Sequence, residues 1–277
     1  MTDSYLRIAL VQQKAGEDRN ANRARGIAAV RAAARDGARL VCFAELAFDP
    51  FWPQVPATAA AADKAEAVPG PTTEAFSELA RELGVVIVLN VFERDGRHCY
   101  DSSPVIDADG SLVGVTRMLH ITEYPCFHEQ GYYTPGDRGA PVFDTAAGRV
   151  GVAICYDRHY PEVMRALALQ RADLVVVPQA GAIGEWPDGL YEAEMRVAAF
   201  QNGFFTALCN RVGPEQALHF AGESFVCDPA GRVIARAGTD TEEILFCDLD
   251  LGAIENSHAR RLFLRDRRPE LYGDWLT

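Results

Sequence analysis

The stretch VGVAICYDRHYPEVMRALALQRADLVVV, residues 150–177, reads as strand, turn, helix and strand in immediate succession. Val150 to Ile154 is an apolar run of the length of a buried strand, and it delivers Cys155 at its end. Pro161 opens a helix that runs to about Gln170, and Leu174 to Val177 forms the next strand. Outward from this unit the same alternation recurs. Leu6–Val11, Leu40–Phe43 and Val85–Phe92 are short apolar strands, the last expected to be covered on both faces. Helices are expected over Asn20–Asp36, closed by Gly37, and from Thr72 or Thr73 to Leu83, ended by Gly84. Asp109-Gly110 and Gly148 mark hairpins, while the five prolines between Phe48 and Pro71 mark a loop with room for a short helix. A helix over Glu192–Phe200, a strand over Phe204–Leu208 and three strands between Glu223 and Asp248 complete the chain. Strand–helix–strand units mixed with hairpins predict an α/β domain of mixed sheets with outer helices. With no linker and no repeat, residues 1–277 are expected to form one domain.

The chain has 277 residues, 48% of them apolar, enough for a substantial core. Its net charge of −12 argues against a broad nucleic-acid or anionic-membrane surface, but leaves room for a small basic pocket. Seven cysteines at irregular spacing, with no CxxC pair, read as free thiols in a reducing compartment. No basic segment leads into an apolar stretch at the start, and no apolar run reaches bilayer length, so a cytoplasmic location is expected. The histidines lack the H-x-x-H or H-E-x-x-H spacing of a metal centre, and no G-x-G-x-x-G follows the first strand, so neither a metal nor a nucleotide cofactor is expected.

Two residues stand out chemically. Cys155 sits between a buried strand and the polar, turn-forming DRHYPE cluster, where backbone donors can lower a thiol's pKa and hold an oxyanion. Unpaired cysteine is equally a common core residue, so the segment alone leaves both readings open. Glu45 follows the apolar run LVCF directly, and a carboxylate there is costly unless paired. It can act as general base with a pKa raised by partial desolvation, or simply bind nearby backbone or an arginine.

FAELAFDPFWP around Glu45, the segment from Gly114 to His120, and GVAICYDRHYPE around Cys155 together resemble the nitrilase superfamily of carbon–nitrogen hydrolases. YDSSPVIDADG (100–110), FHEQGYYTPGD (127–137), NRVG (210–213) and RDRRPELYG (265–273) resemble its accessory segments, so the likeness covers almost the whole chain. Acyclic amidases and carbamoyl-amide hydrolases are the most similar branches. The resemblance implies an α-β-β-α sandwich paired into a homodimer or higher homo-oligomer, the dimer forming an eight-layer stack. It also implies a Glu–Lys–Cys triad: Glu45 matches the general base, Cys155 the nucleophile, and Glu129 a further acid that supports the pocket. A small-molecule amide or carbamoyl substrate is implied, and Arg158 is a candidate for its carboxylate, or else a salt-bridge partner of Asp157 or Glu162. Tyr156, Trp186 and Phe51 are candidate pocket walls, and equally ordinary aromatics.

The lysine of the triad is expected in a pattern like G-K-Y-R-K-x-H. Here the chain reads Gly114-Val-Thr-Arg117-Met118-Leu-His120, so Met118 occupies the lysine position. Losing an oxyanion donor costs on the order of 3 kcal/mol, about a hundredfold in rate. Only Lys14 and Lys64 exist elsewhere in the chain. Arg117 faces the other side of a strand from Met118, whereas His120 shares its side and is the better replacement. Two functions follow: hydrolysis of a linear amide or N-carbamoyl compound through a cysteine thioester, or a catalytically silent homologue that binds a metabolite or a protein.

Overall fold

A computed structural model describes residues 5–273. Tyr5–Gln12 (β1), Leu40–Phe43 (β2), Val86–Val88 (β3), Val91–Asp95 (β4), His98–Ile106 (β5) and Leu112–Arg117 (β6) form one sheet. The late strand β15 (Glu243–Asp250) returns to pair antiparallel with β1, while β1, β2 and β3 run parallel. The second sheet contains Val142–Thr145 (β7), Gly148–Val152 (β8), Leu174–Gln179 (β9), Phe205–Asn210 (β10), Phe225–Cys227 (β13) and Val233–Arg236 (β14). Helices Arg19–Arg35 (α1) and Pro71–Leu83 (α2) cover the first sheet; Pro161–Leu169 (α3) and Leu190–Asn202 (α4) cover the second.

The alternation of side chains along each strand builds three cores. Leu40 and Cys42 point inward with Val150, Val152, Val176 and Cys209 to glue sheet to sheet. Val41 and Phe43 point outward and pack with Val30, Phe76 and Leu79 of α1 and α2. Val175 and Val177 pack outward on Val163, Leu167 and Met195 of α3 and α4. The result is the α-β-β-α sandwich of mixed sheets with outer helices that the sequence implies.

Several boundaries differ from the sequence reading. Val85–Phe92 divides into β3 and β4, which nevertheless line β5 in one register, Ile87 opposite Ile106 and Val91 opposite Ser102. Pro104 is the cause: Leu89 donates to its carbonyl at 3.1 Å, but a proline has no N–H to return. The proline-rich loop holds two single 3₁₀ turns, Trp52–Gln54 and Ala61–Lys64, rather than an α-helix. The small ribbon of Val212–Pro214 (β11) and His219–Ala221 (β12) carries no alternation long enough to be read from sequence.

Candidate active site

The carboxyl ends of β2 and β8, on facing sheets, bring Glu45 and Cys155 together. Each lies at a strained backbone: Leu46, just after Glu45, has φ 45°, and Cys155 has φ 42°. The left-handed region costs a non-glycine residue on the order of 1–3 kcal/mol and collects at functional sites. Strand β8 ends at Val152, and Cys155 opens a 3₁₀ turn rather than closing the strand. Its Sγ accepts a hydrogen bond from Gln179 Nε2 at 3.3 Å, and its carbonyl accepts one from Arg158 Nη1 at 2.9 Å.

The thiol's pKa moves up, not down as backbone donors would suggest. Burial pushes it up first, then the charges of Glu45 and Glu129, and Arg158 opposes them only in part. Cys155 is therefore a neutral thiol at rest and needs a base. Glu45 is fully buried with its carboxyl against the Asp101 and Cys155 side chains, and burial followed by the neighbouring Glu129 raises it to about 8. A base poised there exchanges protons readily near neutral pH.

That value carries a stability prediction. A carboxyl raised from 4.5 to about 8 favours the folded state in its neutral form. Its contribution is complete below the unfolded value and is lost as pH rises through the folded one. Glu45→Gln keeps the neutral shape, so its gain in melting temperature over wild type should grow from about pH 5 to about pH 8. A gain that stays flat or shrinks over that range contradicts the burial of an uncompensated acid.

Around this pair the pocket is rich in acids and poor in donors. Glu129, also fully buried, accepts from the Thr122 N–H at 3.4 Å through one oxygen, and its other oxygen has no partner. Asp101 Oδ2 and the Tyr133 hydroxyl are likewise buried without partners. Burial and the charges of Asp101, Glu45, Glu129 and Cys155 together push the Tyr133 phenol well up, so these groups form one electrostatic cluster. Met118 is completely buried in the same core as Cys155 and Tyr133, where it supplies neither charge nor proton.

Among the described residues, the cations named from the sequence are each engaged elsewhere. Arg117 points to the opposite face, where it is 2% exposed, stacks on Tyr100 at 3.8 Å and binds Glu93 (2.6 Å), Asp95 (2.8 Å) and Asp137 (3.0 Å). Arg117→Ala strands the buried Glu93 and should lower unfolding free energy by about 3–5 kcal/mol in a denaturant titration; a loss under about 1 kcal/mol would show the network to be solvated. His120 stacks flat on Tyr160 (centroids 3.4 Å apart), and its Nδ1 lies 2.7 Å from Asp157 Oδ1. It is thus held by Asp157 rather than aimed at the thiol. Lys64 rests its Nζ 3.5 Å over the Trp52 ring, and its carbonyl accepts from Arg19.

Arg158 is committed as well. Nε binds Glu194 at 3.1 Å, Nη1 binds Gln179 Oε1 at 2.8 Å besides the Cys155 carbonyl, and Nη2 alone has no partner. Its salt bridge is to Glu194 rather than to Asp157 or Glu162. Tyr156 meets His159 and Tyr160 edge-on, and Trp186 meets Tyr124 and His159 edge-on with its indole N–H unpartnered. Phe51 is buried against Phe127 and Phe220.

Several residues at the site were not singled out in the sequence. Arg211, 2% exposed, donates to the carbonyls of Glu45 (2.8 Å) and Asp49 (2.9 Å) and holds the loop after β2. Glu185 binds both Tyr124 and Tyr191 and acts on the Cys155 thiol. Asp101 lies inside YDSSPVIDADG, where an acid amid small and apolar residues on the long strand β5 is the one local signal of it. Among the described residues no group of three or more His, Cys, Asp or Glu is placed to hold a metal ion, and no helix is long and apolar enough to cross a membrane.

A buried thiol on a strained turn, facing a buried acid inside an α-β-β-α sandwich, defines a class: cysteine-dependent acyl-transfer enzymes. A sequence profile of the carbon–nitrogen hydrolases matches residues 7–259. The chain belongs to that family, the nitrilase superfamily, and is a cysteine-nucleophile hydrolase of amide or carbamoyl C–N bonds. It is 36% identical to the N-carbamoylputrescine amidase of Solanum lycopersicum, over 98% of this chain and 94% of that protein. The crystal structure of a carbon–nitrogen hydrolase from Helicobacter pylori G27 superposes with a TM-score of 0.92 at 30% identity, covering 99% of both chains. A variant amidase from Nesterenkonia sp. AN1 (TM-score 0.82, 27% identity, 98% of this chain and 97% of that one) carries the acetamide moiety of fluoroacetamide added covalently at its active-site cysteine.

Proposed function

We propose that Cys155 is the nucleophile and Glu45 the general base of this hydrolase, and that the substrate is a linear N-carbamoyl compound or amide. The observation that carries the reading is the buried Cys155, on a left-handed turn, beside the equally buried Glu45, with burial raising both the thiol and the carboxyl. Glu45 takes the thiol proton as Sγ attacks the carbonyl carbon, and returns it to the departing ammonia or amine as the C–N bond breaks. Water then enters, Glu45 removes its proton, and the oxygen displaces Sγ from the thioester, the sulfur taking that proton back from Glu45 to restore the thiol. Backbone N–H groups of the turn after Cys155 are the donors for the oxyanion. Glu129 supports the pocket next to Met118.

The charge around the thiol supports a narrower substrate choice. The pocket holds the acids Glu45, Asp101, Glu129 and Glu185 and offers a carboxylate little counter-charge, because the guanidinium of Arg158 is already bound to Glu194 and Gln179. An N-carbamoyl amine, as the name of the Solanum relative suggests, fits this balance better than an N-carbamoyl amino acid. Ammonia release should be measured from N-carbamoyl amines, N-carbamoyl amino acids and simple linear amides. Preference for the amines supports the assignment; preference for the amino acids, or no release from any, contradicts it.

The working unit is one domain over residues 1–277, paired as a homodimer through α3 and α4. Val197 is half exposed on that face, beside an open groove of about 500 Å³ lined by Pro161, Met164 and Ala198. The free state of all seven thiols supports a reducing, cytoplasmic setting. Sedimentation should give a dimer that Val197→Glu dissociates; a monomeric wild type contradicts the pairing.

A further inference from the structure

Asp101 and Met118 lie directly across from each other in the antiparallel ladder. Ser102 pairs with Arg117, and one step on, the Met118 N–H donates to the Asp101 carbonyl at 2.9 Å. Directly opposed residues of such a pair place their side chains on the same face, about 5 Å apart at Cβ. The position at which a cation is expected is therefore the cross-strand neighbour of a buried acid, and it holds a thioether instead.

The surroundings of Asp101 contain no other counter-charge. It is fully buried. Asn90 uses its Oδ1 to accept the Leu46 N–H at 2.8 Å, which fixes its amide so that Nδ2 donates to Asp101 Oδ1 at 2.5 Å and to Ser103 Oγ at 3.2 Å. The groups that face Asp101 are Glu45 from the end of β2, Glu129 and Tyr133 from the segment after β6, and Asp157 from the turn after Cys155. The charge of Arg211 acts on Glu45 and that of Arg158 on Cys155. Asp101 Oδ2 and both oxygens of Glu45 lack partners. Two carboxylates in contact can only repel, whereas one proton between them supplies the bond each lacks.

We propose that Asp101 is a protonated carboxylic acid in the resting enzyme, donating its proton as a hydrogen bond to Glu45 and so positioning the base in place of the cation absent at Met118. The assignment rests on Glu45 being the base. Burial and the neighbouring Glu45 push Asp101 well above the carboxylate range, in keeping with this arrangement. Asp101 is a positioning residue: it aims a Glu45 oxygen toward Cys155 without touching the substrate. Its donor–acceptor pattern is that of an asparagine, with Oδ1 accepting from Asn90 and the other position donating to Glu45.

Infrared difference spectroscopy on the whole protein above pH 8, where Glu45 has given up its own proton, reads the Asp101 proton directly through the carboxylic-acid C=O stretch. The expected result is a band that Asp101→Asn removes and Glu45→Gln retains; any other combination overturns the assignment. Since no turnover is needed, that result is separate from a failure of the hydrolase reading. In Cys155 alkylation by iodoacetamide, Asp101→Asn should keep the wild-type pH midpoint because the amide still donates to Glu45. Asp101→Leu should move it upward. A merely structural role would leave the midpoint of both variants unchanged, and that outcome rejects the positioning role.

Discussion

Cys155→Ala is expected to abolish turnover, with kcat falling by roughly 10⁴- to 10⁶-fold, to the rate of the buffer background. The size of the effect follows from the arrangement of the pocket. The thiol is the nucleophile proposed for the pocket, and the acids beside it, Glu45 and Glu129, act on it through their charge. Serine is no rescue, because a hydroxyl on the same turn is a far weaker acid than the thiol for a base that titrates near 8. Substrate binding should survive in Cys155→Ala, since the pocket walls and the acid cluster are untouched. A variant that retains more than a tenth of wild-type kcat would place the nucleophile elsewhere.

Met118→Lys is expected to raise kcat/KM by about a hundredfold, the value of one well-placed donor to a developing oxyanion. Burying an ammonium is ordinarily prohibitive, but Asp101 lies directly across the ladder and Glu129 and Glu45 keep unpaired oxygens nearby. The new cation would take Asp101 as its ion pair and draw off the proton proposed for it, so the variant should lose the carboxylic-acid infrared band as it gains rate. Steady-state assays on the substrate accepted best by the wild type provide the check. An unchanged or lower rate in a folded Met118→Lys protein would mean that another group already serves the oxyanion.

The layered fold was legible because apolar runs such as Leu174–Val177 and Leu40–Phe43 are buried on both faces and carry little else. Glu45 and Cys155 were legible because each interrupts or ends such a run with a group that is costly or reactive. Asp101 was not, since nothing in one strand reveals which residue of the next lies across from it; its meaning depends on the β5–β6 register. The engagement of Arg158 with Glu194 was hidden for a similar reason, because the two are joined only when α4 packs over the Cys155 turn. The split of Val85–Phe92 turns on Pro104, in a different strand. Long-range pairing separates these cases from the local patterns that a chain displays by itself.

Intact-mass analysis of wild-type protein mixed with an amide or N-carbamoyl substrate and quenched in acid tests the central assignment most directly. A mass gain equal to the substrate minus the departed ammonia or amine should appear and map to the peptide bearing Cys155, with the other six cysteines unmodified and no gain in Cys155→Ala. Turnover with no adduct on Cys155, or the same adduct on the Cys155→Ala protein, would contradict it.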